Sequence, residues 1–407
     1  MAELEVAIFA PVSTSEAASD AVRSVLNRSR PLVKSMRVTI KSYRAPAHLL
    51  GNTLVMCEYR SPGRRPMTAA ACGYNIESLL VRFCGELTER ISLSRFRPQV
   101  YRTATEEQLR TEGLNIFDTT GYLGAALFPD KWRFSPYSRD DVVDWTIAED
   151  LESPATPMYV PIQLCQSRIT RSQAWCELTS VGTAAGPTIK YATEHAVREI
   201  FERDALRTAW FTFLTLGQTS PPVSWNDMRE RYVEAGWKTT FFCGATRIGV
   251  PLWVVHTLHP ALHLTAIGSS CTPCPEEGLN HALDEALQGR LYTWLTRNDR
   301  DLGAGVHTFL DHASYYSNPQ RFTQAGRLFA VNIEHDVNNN NTGADWGHET
   351  LSGAARLTLY VDANTSVVRV LHPRAQPVEA DHDAARLVGQ MRTLSRNSLR
   401  TTPTPFV

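Results

Sequence analysis

An α+β fold is predicted for this chain on three observations. Long runs of helical period stand at 76–95, 188–214 and 276–297. Short β-rich runs stand at 239–243, 251–256, 357–361 and 367–371. The two kinds mix without the strict strand–helix rhythm of a parallel sheet. From the amino end, residues 1–60 alternate apolar and polar stretches and predict a strand, a helix and a second strand, a segment that completes the fold. The run Ser61-Pro-Gly-Arg-Arg-Pro66 is a loop by its turn residues. Ile76, Leu79, Leu80, Phe83 and Leu87 keep i, i+3, i+4, i+7 spacing and make the first long helix. Residues 119–150 mix aromatics, prolines and charges without period and are expected to be loop-rich; 158–180 is expected to hold two strands. Ile189, Ala192, Ala196 and Ile200 form one stripe of the second helix. Thr239 to Cys243 and Pro251 to His256 follow as strands, and 276–297 is the third helix. Asn338 to Asn341 reads as a mobile loop, and Leu357 to Val361 with Val367 to Leu371 as a hairpin. The main unit spans 61–407, with 401–407 as a polar, proline-containing tail.

Composition narrows the function. The 407 residues are 43% hydrophobic and 20% charged, and 41 basic against 42 acidic residues leave a net charge of −1. That balance gives no whole-molecule attraction to nucleic acid or anionic membrane. No apolar run approaches the ~20 residues of a membrane span, and the acidic start Met1-Ala-Glu-Leu-Glu lacks a signal-peptide layout. A cytoplasmic enzyme or scaffold is expected. The eight cysteines do not make a disulfide framework in so long a chain. Cys271 and Cys274 form the one CxxC, and His256, His259 and His263 upstream are the best further ligands for zinc. A strand and turn with solvent-facing histidines is the preferred reading. Pro273 and Pro275 put the CxxC in a loop entering a helix, where redox use is the lesser reading.

The sharpest signal is an internal repeat. Ala71-Cys72-Gly73 precedes Glu86-Leu-Thr-Glu89-Arg90, and Ala184-Ala185-Gly186 precedes Glu199-Ile-Phe-Glu202-Arg203; every matched position, such as Gly73 and Gly186, is 113 residues apart. Glu285-Ala-Leu-Gln288, after Ser269-Ser270, is a weaker third copy. Two helices are therefore expected to start after small-residue glycine turns. Residues three apart share a helix face, so each Glu-x-x-Glu presents two repelling carboxylates. If the helices pair by pseudo-symmetry, four carboxylates face one space, and cations must neutralise them. Hard oxygen donors at that density suit Mg²⁺ with phosphate oxygens. Arg90 and Arg203 add planar guanidinium groups suited to phosphate, and the small residues leave backbone N–H groups open to an anion. The competing reading is a duplicated structural helix with salt bridges.

These residues resemble the YcaO superfamily. Ser180-Val-Gly-Thr-Ala-Ala-Gly186 with Glu199-Ile-Phe-Glu-Arg-Asp204 is similar to its signature. Gly73 to Arg90 with Ser92 resembles the upstream motif, Leu279-Asn-His-Ala-Leu-Asp-Glu285-Ala-Leu-Gln288 the third motif, and Val368-Arg-Val-Leu-His-Pro373 the late strand. The resemblance implies a pseudo-symmetric YcaO-like fold and ATP-dependent activation of a peptide amide. A nucleophile attacks the carbonyl, ATP phosphorylates the oxyanion, and phosphate leaves. It further implies that Glu86, Glu89, Glu199 and Glu202 bind magnesium, that Ser180, Gly186, Arg90, Arg203 and Gln288 bind nucleotide, and that ATP and Mg²⁺ are required. Departures are visible. The family often has a lysine between two glycines where Ala71-Cys72-Gly73 stands, asparagine where Val181 stands, a polar residue where Pro187 stands, and arginine where His281 stands.

Pro403-Thr-Pro405-Phe-Val407 resembles the proline-rich tail of azoline-forming members, which implies a catalytic role for Pro403, Pro405 and Val407, the terminal carboxylate acting as a base. Prolines favour an extended, low-entropy strand. The implied partners are a precursor peptide, an E1-like protein that recognises its leader, and an FMN-dependent azoline dehydrogenase; neither nucleic acid nor membrane is expected. The reading is an ATP-dependent cyclodehydratase that turns Cys, Ser or Thr into thiazoline or oxazoline. Thioamide or amidine formation and a non-catalytic scaffold are the alternatives.

Overall fold

The computed structural model of the chain describes residues 7–8, 37–44, 53–60, 67–73, 76–165, 174–296, 305–334 and 351–405. The expected helix within 1–60, the loop at 61–66, the Asn338–Asn341 run and Val407 lie outside the described residues.

Three larger sheets carry the fold. The first is an antiparallel ladder of β1 (Ala7–Ile8), β2 (Arg37–Arg44), β3 (Thr53–Arg60) and β4 (Met67–Gly73), in that order. The second has six strands: β5 (Arg102–Ala104), β7 (Val143–Asp150), β15 (Ala355–Val361), β16 (Ser366–Leu371) and β9 (Thr183–Gly186), with β8 (Pro157–Pro161) also paired to β7. The third runs β13 (Leu264–Cys271), β12 (Pro251–His259), β11 (Lys238–Ala245), β10 (Leu216–Gln218) and β14 (Phe329–Glu334), and only the β10–β14 pair is parallel. A short ribbon joins β17 (Arg386–Leu387) to β6 (Ala125–Ala126). Antiparallel pairing with inserted helices is the α+β class the sequence predicts.

Three long helices cover these sheets: α1 (Ile76–Arg95), α2 (Ile189–Phe211) and α3 (Pro275–Thr296). Thr188 caps α2 by accepting from the Tyr191 N–H at 3.2 Å. The stripe of Ala192, Ala196 and Ile200 is buried against Val368 and Val370 of β16. Gly268 lets α3 approach β13 closely, because a Cβ there would lie 1.9 Å from the Ala282 carbonyl oxygen. Fully buried side chains such as Phe83, Trp210 and Trp253 anchor the helices and sheets. Burying a large apolar side chain is worth roughly 1.5–3 kcal/mol.

Two regions differ from expectation. The stretch read as loop-rich ends in a full strand, β7, in which Val143, Trp145, Thr146, Ala148 and Asp150 are buried; burial on both faces and the acidic residues among them hide the period. Of the stretch 158–180, expected to hold two strands, the described residues include one, β8, and residues 166–173 lie outside them. After β8 the apolar run Ile162–Cys165 makes a single helical turn packed in the core. Among the described residues no helix is long and apolar enough to cross a membrane.

Candidate functional site

Each of the three large sheets turns one edge strand toward a common cleft, and each of those strands leads into a long helix: β4 into α1, β9 into α2, β13 into α3. In each unit a glutamate of the helix accepts a hydrogen bond from strand backbone. Glu86 accepts from Ala70 at 3.1 Å, Glu199 from Gly182 at 3.0 Å, just ahead of β9, and Glu285 from Ser269 at 2.9 Å. Three residues further on, the helix reaches the next unit. Glu89 accepts from the Ala185 N–H of β9 at 2.9 Å, and Glu202 from the Ser269 hydroxyl of β13 at 2.5 Å. The third helix has Gln288 at this position, with its amide 3.4 Å from the Tyr292 hydroxyl. Correspondingly α1 packs on β9, α2 on β13 and α3 on β4. The repeat is therefore threefold and cyclic, and the weak third copy is a full structural partner.

The small-residue triplets are not the glycine turns expected. Ala71-Cys72-Gly73 ends β4, and Ala184-Ala185-Gly186 ends β9. Their extended backbone places N–H groups along an edge, where glutamates take them up, so the Ala70 and Ala185 amides are committed to carboxylates.

The cleft has a volume of about 720 Å³. Glu86, Glu89, Glu199, Glu202 and Glu285 line it together with Arg82, Arg90, Arg198, Arg203, His195 and His281. Arg90 pairs with Glu86 at 3.1 Å; Arg203 pairs with Glu285 at 3.2 Å and with Glu202 at 3.6 Å. Among the described residues Glu89 and Glu199 have no such ion pair. Burial, reinforced by the charge of Glu199, pushes Glu89 up to about 8. Burial pushes Glu199 up to about 7 although Arg203 opposes it. Glu86 is raised by burial against the pull of Arg90, and Glu202 by burial against Arg203, with Glu285 adding to the rise. Glu285 goes the other way: burial would raise it, but Arg203 and His281 outweigh that cost. Burial also opposes the charge of Arg203, and its glutamate neighbours overcome it, so its pKa rises.

Chemically the cleft holds more carboxylate than its own cations neutralise. Carboxyl groups that keep their protons above the usual range exchange them for a divalent cation when one is present. Several oxygen donors beside guanidinium groups with N–H donors to spare match Mg²⁺ with phosphate. The donor set thus fits the metal that the sequence implies.

All five residues expected to contact nucleotide, Ser180, Gly186, Arg90, Arg203 and Gln288, line this cleft, as do Glu86, Glu89, Glu199 and Glu202. Pro403 and Pro405 do not, and Val407 lies outside the described residues. Sequence reasoning passed over Arg82, His195 and Arg198, and marked His281 only as a departure from the resembled motif. A signal was there: His195, Arg198 and Glu202 share one face of α2, and His281, Glu285 and Gln288 one face of α3. His281 lines the cleft at the position where the resemblance leads one to expect arginine. His195 is held below its usual value by burial, Arg198 and His281.

The tail is fastened beside a second buried charge cluster, at the far half of α2. Both oxygens of Glu379 are taken, by Arg207 at 2.8 Å and Arg386 at 2.8 Å, all three groups being almost fully buried. Arg207 also donates to the Thr404 hydroxyl at 3.2 Å, Trp210 donates to the Thr402 carbonyl at 3.0 Å, and the Tyr316 hydroxyl donates to the Pro403 carbonyl. Asp204, next to Arg203, accepts from the Gln376 N–H at 2.7 Å and pairs with Arg247 at 3.0 Å; burial raises it to about 6 against Arg247.

Of the three histidines read as solvent-facing, His256 and His259 are buried and His263 is half-buried. His256 shares a 2.9 Å hydrogen bond with Thr265 and stacks on Phe329, and burial lowers it to about 4. His259 accepts from the Leu262 N–H at 3.2 Å. The strand they lie on is interior to its sheet, which the sequence pattern does not reveal. Cys271 closes β13 and burial raises it to about 12, while Cys274 is exposed just ahead of α3. Among the described residues the one group at metal-ligand spacing is His307, Asp381 and Asp383, where Arg133 and Lys131 already pair with the aspartates.

The family model described as YcaO cyclodehydratase, ATP- and Mg²⁺-binding, matches residues 73–376. Among curated proteins no sequence relative is found. Solved structures share the fold at low identity. A YcaO protein from Methanopyrus kandleri bound with AMPPCP and Mg²⁺ has TM-score 0.61 and 16% identity over 91% of this chain and 95% of its own. A heterocyclase in complex with substrate and cofactor has TM-score 0.71 and 14% identity, over 95% of this chain and 57% of its own. A chain of the E. coli microcin synthetase McbBCD complex with pro-MccB17 bound has TM-score 0.63 and 14% identity over 90% of this chain and 96% of its own.

Proposed function

The chain belongs to the YcaO family, and from that premise we propose that it is an ATP-dependent cyclodehydratase forming azolines in a ribosomally made peptide. The observation that carries the reading is the cleft lined by six glutamates, of which Glu199 and Glu89 have no ion pair among the described residues and are pushed to about 7 and about 8. Glu86, Glu89, Glu199 and Glu202 hold magnesium in this reading, with Glu285 completing the ring. Bound there, Mg²⁺ would clamp phosphate oxygens and neutralise charge as a phosphoryl group moves.

The chain's own groups do the rest. Arg90 and Arg203, each already tied to a glutamate, present their remaining N–H groups to phosphate oxygens. Ser180 and Gly186 line the nucleotide's side, and Gln288 fills the third carboxylate position without adding charge. Overall, the side-chain oxygen or sulfur of Cys, Ser or Thr bonds to the amide carbon. The carbonyl oxygen takes the terminal phosphoryl group of ATP, releasing ADP. It then leaves as phosphate while the ring C=N forms. Of the nucleophile and amide protons, one ends on hydrogen phosphate and one goes to solvent, so the oxygen of the lost water ends in phosphate.

Partner proteins are part of the proposal. The solved structures that share the fold, a heterocyclase with its substrate and a synthetase complex with pro-MccB17 bound, support a precursor peptide and a multi-protein assembly. A leader-recognising E1-like protein and an FMN-dependent dehydrogenase would complete it. The proposed compartment is the cytoplasm, where ATP is supplied. The expected tail function rests on Val407; Thr401 to Thr404 give that tail a fixed anchor.

The test is mass spectrometry of the precursor peptide incubated with this protein, its partner proteins, ATP and Mg²⁺. Loss of one water per modified residue, matched by ADP and phosphate release, supports cyclodehydration. An exchange of oxygen for sulfur assigns thioamidation instead. ATP bound but not consumed, with no mass change, leaves a scaffold.

A further inference from the structure

Away from the cleft, beyond the carboxyl end of α2, one surface is built from three chain segments that contain no acidic residue. Residues 207–222, 312–333 and 386–405 together hold seven arginines and neither aspartate nor glutamate. Their apolar residues share one core, with Trp210 and Phe211 from the first, Tyr316 and Leu328 from the second, and Met391 and Leu399 from the third. Arg207 and Arg386 are neutralised by Glu379. Among the described residues, Arg321, Arg327, Arg392, Arg396 and Arg400 pair with no carboxylate.

Arg400 is the informative one. Only 7% exposed, its guanidinium lies 4.0 Å from the Trp210 ring centre and 4.5 Å from that of Phe213. Its Nε and Nη1 are buried and have no hydrogen-bond partner. A buried cation held by aromatic faces alone lacks the acceptors that ordinarily offset its desolvation. Burial lowers its pKa, Tyr316 opposes that, and Arg327 adds a second positive charge nearby. Beside it the chain exposes apolar surface. Phe213 is 54% and Leu214 58% exposed, and Phe213 holds a left-handed backbone with φ 60°, a costly conformation for a bulky residue. A few steps along, Arg321 stacks on Tyr315 at 4.2 Å.

We propose that this arginine–aromatic surface docks an acidic, apolar segment of a partner protein, with a carboxylate of that segment on Arg400 and its apolar side chains on Phe213 and Leu214. The charge of the surface selects the partner's chemistry: a carboxylate offsets the uncompensated guanidinium charge of Arg400, Arg327 and Arg321 add long-range attraction, and aromatic and arginine side chains are those that concentrate binding energy at interfaces. Arg400 is prepared for this role in the unbound protein, because Trp210 and Phe213 hold its plane fixed. Phe211, where α2 ends, stands eight residues past Arg203, about 12 Å along the helix axis, and Phe213 lies beyond it, so the segment would leave the cleft open.

Fluorescence anisotropy on the full chain tests this with three labelled probes: an octapeptide of alternating Glu and Phe, the same peptide with Gln for Glu, and a thymidine octanucleotide. The Glu peptide is expected to bind roughly tenfold more tightly than the Gln peptide. Arg400→Met should remove most of that preference. Arg327→Gln and Leu214→Ser, at exposed positions that leave folding intact, should each weaken binding several-fold. Equal binding of the two peptides overturns the proposal. So does unchanged Glu-peptide binding in all three variants. An oligonucleotide that binds more tightly than the Glu peptide, and loses affinity in the same variants, assigns the surface to nucleic acid and also overturns it.

Discussion

Helix α2 carries two buried charge clusters about one turn apart, and they are settled in opposite ways. At Glu199 and Glu202 the helix faces a cleft whose carboxylates outnumber the cations that touch them. At Arg207 it enters a cluster in which each oxygen of Glu379 meets a guanidinium. The second arrangement is closed and holds the tail and the late strands in place. The first is open: its cost is lifted only when something positive arrives. Burial is common to both, so burial does not mark the functional site; unbalanced charge does.

Removing Glu379 is expected to have the largest effect on this contrast. Glu379→Ala leaves two guanidinium groups buried without a counter-charge and should cost about 3–5 kcal/mol in urea unfolding. Replacing the trio together by Leu and Met should recover most of that loss. A loss below about 1 kcal/mol for the single variant would show the cluster to be less closed than its geometry indicates. In the cleft the prediction inverts. Glu199→Gln removes a repelled carboxylate and should leave metal-free stability unchanged or higher, yet abolish ATP turnover. Saturating Mg²⁺, at about a hundred times its dissociation constant, should add about 2.7 kcal/mol to the wild type and much less to this variant. Equal stabilisation of both would break the distinction.

The pH response sharpens it further. Glu89 and Glu199 rise from an ordinary 4.5 to about 8 and about 7 in the folded protein. The native state therefore binds more protons than the unfolded chain between those values, so metal-free stability should fall as pH rises from about 5 to 8. Urea unfolding across that window should show the slope, and Mg²⁺ should flatten it. A metal-free protein equally stable at both ends would place these two carboxylates in a wetter setting than the cleft provides. The smallest effect belongs to the tail: Thr404→Val removes one hydrogen bond from Arg207 and should cost about 1 kcal/mol by thermal unfolding.

The contrast also explains what the sequence can reveal. The three helices and the doubled Glu-x-x-Glu-Arg were legible because their information is local: an apolar stripe repeats every turn, and glutamates three apart stand on one face. The third unit was faint because Gln288 replaces a glutamate. The closed cluster was invisible, since Arg207 and Glu379 are 172 residues apart and no spacing rule joins them. β7 was missed because Asp144, Glu149 and Asp150 interrupt its apolar residues. The burial of His256 is likewise a property of a strand's place in its sheet, which pattern alone does not encode.

The cyclic linkage of the three units has a consequence for how the protein comes into being. Glu89 and its partner Ala185 are 96 residues apart, and Glu202 and Ser269 are 67 apart. Contacts of that span form only after long loops have closed, which slows folding and places them late. The acidic ring has no meaning in any one unit. During synthesis the chain therefore passes most of its folding without a site able to capture divalent cations, and acquires one only when its third long helix closes the circle.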